Sequence, residues 1–175
     1  RRTGGGAVYH DLGNLNFSII ADKKIYDVKR QMTVIQKALL NYGLETEVSG
    51  RNDITYQGRK FSGNAFAKTK YQGLHHGTIL IKTDGEKLQK YLKVKPAKLH
   101  KHGVKSVASR VTNLSEVADI TSENIIPYLI KSFEEVYDNK ASVINFDDLC
   151  TEEVMKLKDH ISSDEYLFGK WREFH

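Results

Sequence analysis

Three consecutive glycines, Gly4-Gly5-Gly6, follow Arg1-Arg2-Thr3 and lead straight into Ala7-Val8-Tyr9-His10-Asp11. Glycine reaches backbone angles that side chains forbid, and it lets a ligand approach the main chain closely. A run of unobstructed backbone N–H groups makes an anion-binding concavity, and arginine adds a forked cationic donor. The stretch therefore reads either as a cradle for phosphate or carboxylate or as a Gly-rich turn. Two common phosphate motifs are excluded. A Gly-x-x-x-x-Gly-Lys-Ser/Thr loop is absent. A dinucleotide fingerprint would need a glycine where Tyr9 stands and a strand before the glycines. A nucleotide held here is held in another fold.

Composition narrows the field. A chain of 175 residues suits one domain burying roughly 70% of its unfolded surface. No apolar stretch approaches the ~20 residues of a membrane span, and no secretory leader is visible. The single cysteine, Cys150, precludes an internal disulfide and suits a reducing cytoplasm. The net charge of +5 is unevenly spread: residues 1–110 carry 21 Lys/Arg against 8 Asp/Glu, residues 111–175 carry 6 against 14. The basic part also holds twelve of the thirteen glycines. It is the expected host for an anionic ligand and would attract an acidic partner. A nucleic-acid surface is the rival reading, but no aromatic-rich RNA motif accompanies the charge.

The periodicities predict a mixed α+β domain. Leu15–Ile20 partly alternates and reads as a strand. Val28, Met32, Ile35 and Leu39 recur at helical spacing, and Gly43 marks the stop. Glu45–Ser49 and Ile54–Tyr56 read as short strands, Gln57-Gly58 as a turn, Lys60-Phe61 as extended, and Ser62-Gly63-Asn64 as a second turn. Gly77–Thr83 is a short, β-branched strand, with His75-His76 at its start. Glu86–Tyr91 reads as a short helix. Lys93–Arg110, with six Lys/Arg, two His and no acid, reads as a loop. Asn124–Tyr137 is predicted helical with Ile125, Leu129, Ile130, Phe133 and Val136 on one side. Thr151 caps a last helix with Val154, Leu157 and Ile161 inward.

Several constellations could carry chemistry. Gly50-Arg51-Asn52-Asp53 offers a cation, an amide and a carboxylate from one turn. Asp53 could hold a magnesium ion riding on phosphates, or pair with Arg51 or a nearby lysine. Lys60, between two glycine turns, could place a fixed ammonium against charge developing during acyl transfer. Adjacent His75 and His76 point to opposite faces of a strand, so they cannot share a metal, but one can face a pocket. His10 and Asp11 diverge likewise, so no Ser-His-Asp triad is expected. Acidic neighbours Asp147, Asp148, Glu152 and Glu153 oppose a Cys150 thiolate, leaving an inert cysteine.

Taken in order, Arg-Arg-Thr-Gly-Gly-Gly-Ala-Val-Tyr-His-Asp-Leu-Gly-Asn, Ser-Gly-Arg-Asn-Asp, Gly-Arg-Lys-Phe-Ser-Gly-Asn-Ala-Phe, His-His-Gly-Thr and Gly-Val-Lys-Ser-Val-Ala-Ser-Arg-Val-Thr-Asn-Leu resemble the lipoate-protein ligase A family. The five blocks span residues 1–114, and residues 115–175 resemble the later helices more weakly. The resemblance implies a mixed or antiparallel sheet flanked by helices, the class-II synthetase and biotin/lipoate-ligase core. It implies ATP and Mg²⁺ as co-substrate and cofactor, and conversion of lipoate to lipoyl-AMP. The lipoyl group would then pass to a lysine of an acceptor lipoyl domain, in 2-oxoacid dehydrogenase E2 subunits or the glycine cleavage H protein. A transferase of the same fold that takes a preactivated lipoyl or octanoyl donor is the alternative, as is an inactive fragment.

By the same resemblance Lys60 contacts both the lipoyl carbonyl and the AMP phosphate, with His76 on the lipoate side. Arg1 and Gly6, Ala7, Val8 and Tyr9 hold the nucleotide. Lys105, Ser106, Val107, Ala108, Ser109, Arg110 and Val111 form an adenylate-binding loop. Compared with the family, residues 1–175 read as one catalytic-domain core without its N-terminal part or a C-terminal accessory domain. A missing N-terminal fragment is then a candidate partner of the sheet.

Overall fold

The computed structural model describes residues 7–92 and 110–172, with side chains to residue 169. The chain divides into two compact units, Arg1–Asn139 and Lys140–His175.

The first unit is built on five strands, β1 (Asn14–Asp22), β2 (Glu47–Ser49), β3 (Asp53–Tyr56), β4 (Arg59–Lys68) and β5 (Gln72–Leu80). They form one antiparallel sheet in the order β1-β5-β4-β3-β2. Helix α1 (Val28–Leu40) follows β1. It starts where the Asp27 carboxylate accepts the Arg30 N–H, and the chain leaves it through Gly43 at φ +72°. The apolar stripe foreseen at Met32, Ile35 and Leu39 packs with Ile54, Phe61 and Ile79 from one face of the sheet. Helix α2 (Gly85–Tyr91) is capped by Asp84, whose Oδ1 accepts the N–H groups of Glu86 and Lys87. Helix α3 (Ser122–Tyr137) opens with a reciprocal cap between Thr121 and Asn124 and contributes Ile125 to the same core. Helices α1 and α3 contribute to the core on one face of the sheet and leave the other face to the site.

Four expectations need correction. Ser62-Gly63-Asn64 is not a turn: β4 runs unbroken through it, and Gly63 has a different purpose, described below. His75-His76 lies in mid-strand, because β5 begins at Gln72 and ends at Leu80. Ile81 and Lys82 instead donate their N–H groups to the Gly13 carbonyl. On α3, Ile130 is exposed, because that helix buries only Ile125 and Ser132 fully. The second unit comprises α4 (Phe146–Leu149), α5 (Glu152–Ser162) and α6 (Asp164–Arg172). Thr151 caps α5 as expected, yet Val154, Leu157 and Ile161 are exposed. Helical periodicity makes an apolar stripe; it does not supply the surface that covers it.

Among the described residues no helix is long and apolar enough to cross a membrane.

Candidate active site

A cavity of about 950 Å³ opens on the uncovered face of the sheet. Its floor comes from alternate residues of three paired strands: Asn16 and Ser18 of β1, His76 and Thr78 of β5, Gly63 and Ala65 of β4. Period-two alternation puts their neighbours on the core side, so His76 lines the cavity while His75 is fully buried beneath it. The two histidines do diverge, and it is His76 that faces the pocket.

Lys60 reaches this face through an irregularity in the sheet. Ile54 pairs with Ser62 and Thr55 pairs with Lys60, so two steps along β4 match one step along β3. Phe61 is the extra residue, and both Phe61 and Ser62 are fully buried. Strict alternation from Ser62 would send Phe61 to the cavity and Lys60 to the core. The bulge exchanges them, which is how bulges re-aim a side chain.

Once there, the Lys60 ammonium sits 2.7 Å from Asp53 Oδ1, each side chain about one-third exposed (35%). Asp53 and Gly63 are direct partners across β3 and β4. A Cβ at Gly63 would lie 2.9 Å from Lys60 Nζ and 3.0 Å from Cε. Gly63 is therefore a strand glycine that leaves the lysine room to lie across it. Of the two partners foreseen for Asp53, the structure shows the lysine. Among the described residues no three His, Cys, Asp or Glu side chains cluster as a metal site. Asp53 alone suits a magnesium ion only if phosphate oxygens and water supply the rest of its shell.

Two backbone segments frame the ammonium. Val111 forms a parallel bridge with Lys60, and the Thr112 N–H donates to the Lys60 carbonyl at 2.9 Å. Arg59 Nε donates to the Val111 carbonyl at 3.0 Å. The described end of the expected adenylate loop, Arg110 and Val111, thus lines the cavity beside Lys60. Lys105, Ser106, Val107, Ala108 and Ser109 lie outside the described residues.

On the other side, Ala7, Val8 and Tyr9 also line the cavity, while Arg1 and Gly6 lie outside the described residues. The 7–13 segment is anchored by Asp11, whose two oxygens accept the N–H groups of Gly13 at 3.0 Å and Asp84 at 2.8 Å. A Cβ at Gly13 would run into the Lys82 carbonyl, so this crossing requires glycine. Tyr9 stacks on Tyr91 of α2 with ring centroids 5.9 Å apart. His10 turns away from Asp11 and lies 3.1 Å from the Asn14 amide nitrogen through Nδ1.

Sequence reasoning missed Asn64. Its amide joins Asn52 to His75 under the cavity floor. A polar side chain in an unbroken strand was the available signal, hidden by reading Ser62-Gly63-Asn64 as a turn.

A cationic side chain paired with a carboxylate, in a cavity over an antiparallel sheet that two backbone segments also line, is chemistry that can hold an anionic ligand. Comparison with known proteins supplies the family. Residues 1–134 match the lipoyl protein ligase A/B catalytic domain, and the chain belongs to that family. Lipoate-protein ligase A of Bdellovibrio bacteriovorus is 40% identical over 182 residues, taking in 99% of this chain and 54% of that protein. The chain thus spans about half the length of the curated relatives it matches. The structure of P. falciparum LipL1 in complex with lipoate superposes with a TM-score of 0.80 at 36% identity, over 97% of this chain and 50% of that one. A lipoate-protein ligase A bound with ATP gives a TM-score of 0.78 at 27% identity, over 95% and 69%. The expected α+β ligase core, an antiparallel sheet flanked by helices, is the observed fold.

Proposed function

We propose that this chain is the core of a single catalytic domain that activates lipoate with ATP and passes the lipoyl group to an acceptor lysine. The observation that carries the reading is the Lys60 ammonium, turned by the bulge at Phe61 onto the cavity floor and fixed by Asp53. In the first step a lipoate carboxylate oxygen attacks the α-phosphorus of ATP, forming lipoyl-AMP and releasing pyrophosphate. Lys60 Nζ faces negative charge on both the carboxyl oxygen and the α-phosphate as the new bond forms. A preorganised donor of this kind acts without reorganising during the step.

Ala7, Val8 and Tyr9, which line the cavity, would hold the nucleotide through their backbone, the role that the resemblance also gives to Gly6 and Arg1. His76 and Ala65 lie on the part of the floor that would take the acyl chain. Asp53 would hold a magnesium ion carried on the phosphates, where it would screen their charge. The mixed anhydride survives only where water is excluded. Arg110 and Val111, the described end of the expected adenylate loop, line the cavity beside Lys60 and would help to exclude it. In the second step the acceptor lysine amine attacks the lipoyl carbonyl, the amide forms and AMP leaves. The basic excess of residues 1–110 would steer an acidic lipoyl domain, of a 2-oxoacid dehydrogenase E2 subunit or a glycine cleavage H protein, toward the cavity.

The test is lipoate-dependent exchange of labelled pyrophosphate into ATP. Exchange is expected with the chain alone or extended to the length of its relatives. Its absence from both, with transfer from a preactivated lipoyl or octanoyl donor, would establish a transferase instead.

A further inference from the structure

The cavity floor is supported from beneath by a polar chain that joins the turn before β3 to strands β4 and β5. Asn64 is almost fully buried on the core face of β4. Its Nδ2 donates to the Asn52 carbonyl at 3.0 Å and to Ser62 Oγ at 3.2 Å. Its Oδ1 lies 2.8 Å from Nε2 of His75 on β5. The backbone joins in: Asn64 N–H donates to the Asn52 carbonyl at 2.8 Å, and Asn52 Nδ2 donates to the Asn64 carbonyl at 3.0 Å. Asn52 is therefore held at both its carbonyl and its side chain, and the next residue is Asp53.

These contacts also fix a tautomer. The Asn52 carbonyl can only accept, so the Asn64 nitrogen must face it and the Asn64 oxygen must face His75. That oxygen also only accepts, so His75 Nε2 carries the proton. His75 Nδ1 is buried without a hydrogen-bond partner among the described residues, as befits a neutral ring. Phe17 and Phe66 pack against that ring, with centroids 5.2 and 4.7 Å away. Gly77 is part of the same device: a Cβ there would lie 2.5 Å from Asn64 Oδ1 and 2.7 Å from Phe17 Cζ. Burying an amide and an imidazole costs more than burying an apolar pair, and the hydrogen bonds between them fix one arrangement.

We propose that Asn64, oriented by His75, is a positioning residue that sets the Asn52-Asp53 turn and thereby the Asp53 carboxylate against the Lys60 ammonium. His75 lies beneath the floor and Asn64 borders the cavity, and the role proposed for both is exerted through Asp53. The inference rests on the proposed ligase reading only for its kinetic consequence, since the Lys60–Asp53 geometry can be read without turnover.

The test compares two replacements. The pair Asn64→Leu/His75→Leu removes the polar chain, and of the buried groups that stay only Ser62 Oγ loses a side-chain partner. His75→Gln keeps a donor for Asn64. Protein carrying lysine labelled with ¹³C at Cε reports the ion pair directly, the Lys60 signal being assigned by its loss in Lys60→Arg. In the Leu pair that signal is expected to move to the position it takes in Asp53→Asn. The kcat for pyrophosphate exchange should fall at least about tenfold, with KM for lipoate within about twofold. His75→Gln should leave signal and kcat near wild type. Asn64→Ser, which trims the bridge and disturbs packing least, should displace the signal like the Leu pair and serves if that pair does not fold. A wild-type Lys60 signal in a folded Leu pair or in Asn64→Ser overturns the proposal. Absence of exchange from both the chain alone and its longer form, with a Lys60 signal that still moves in these variants, sinks the ligase reading and leaves the positioning role standing.

Discussion

Replacing Gly63 by alanine isolates the position of one ammonium from the stability of the fold. The new Cβ would stand 2.9 Å from Lys60 Nζ and 3.0 Å from Cε, where ordinary contact begins at 3.4 Å. The colliding atoms are the far end of a flexible side chain, so the lysine gives way and the strand does not. It must retreat by roughly 0.5–1 Å, and the 2.7 Å contact with Asp53 loosens. A partly exposed pair is worth about 0.2–1 kcal/mol, and alanine recovers about 0.5–1 kcal/mol over glycine in a strand. The two nearly cancel, so the denaturation midpoint should barely move. Catalysis is less forgiving, since a misplacement of about 1 Å can cost about a hundredfold. Gly63→Ala should therefore lose between about tenfold and a hundredfold in lipoate-dependent pyrophosphate exchange while remaining as stable as wild type. The double variant with Lys60→Ala should be no worse than Lys60→Ala alone, because both remove the same interaction. Near-normal exchange by Gly63→Ala, or a full additional loss on top of Lys60→Ala, would refute the reasoning.

Three further outcomes follow from named contacts. Lys60→Ala should lower adenylate formation by at least about a hundredfold, the scale of deleting one preorganised donor, measured by lipoyl-AMP accumulation in a single turnover. Gly13→Ala should destabilise the fold by about 3 kcal/mol or more, read by urea unfolding, because the Cβ meets the Lys82 carbonyl on rigid backbone. His75 should make stability acid-sensitive. Burial, then the neighbouring His76, lowers its pKa from 6.5 to about 4. Below pH 6.5 the unfolded chain binds a proton that the native ring refuses, so its stability contribution is complete above 6.5 and fades as pH falls toward 4. The loss approaches roughly 3 kcal/mol over that window, and His75→Gln should flatten the unfolding midpoint there.

The elements were legible because they rest on local rules. Asp27 and Gly43 bound α1, Gln57-Gly58 makes its turn at φ +49° and +75°, and Thr151 caps α5, each through contacts within a few residues. The residue types gathered at the cavity were legible too, since Lys60, Asp53 and His76 were singled out before their placement was known. Sequence alone could not aim the lysine. Alternation along β4 points Lys60 at the core, and only the mismatch in pairing with β3 turns it outward. Nor could it explain Gly63, which resembles a turn former until the side chain lying across it is seen. Asn64 belongs with these, because its partners sit twelve residues back in a turn and eleven residues on in the next strand. A side chain's identity and its local backbone preferences are written into neighbouring residues. Which side chain faces which is set by strand register, a property of pairs of segments distant in the chain.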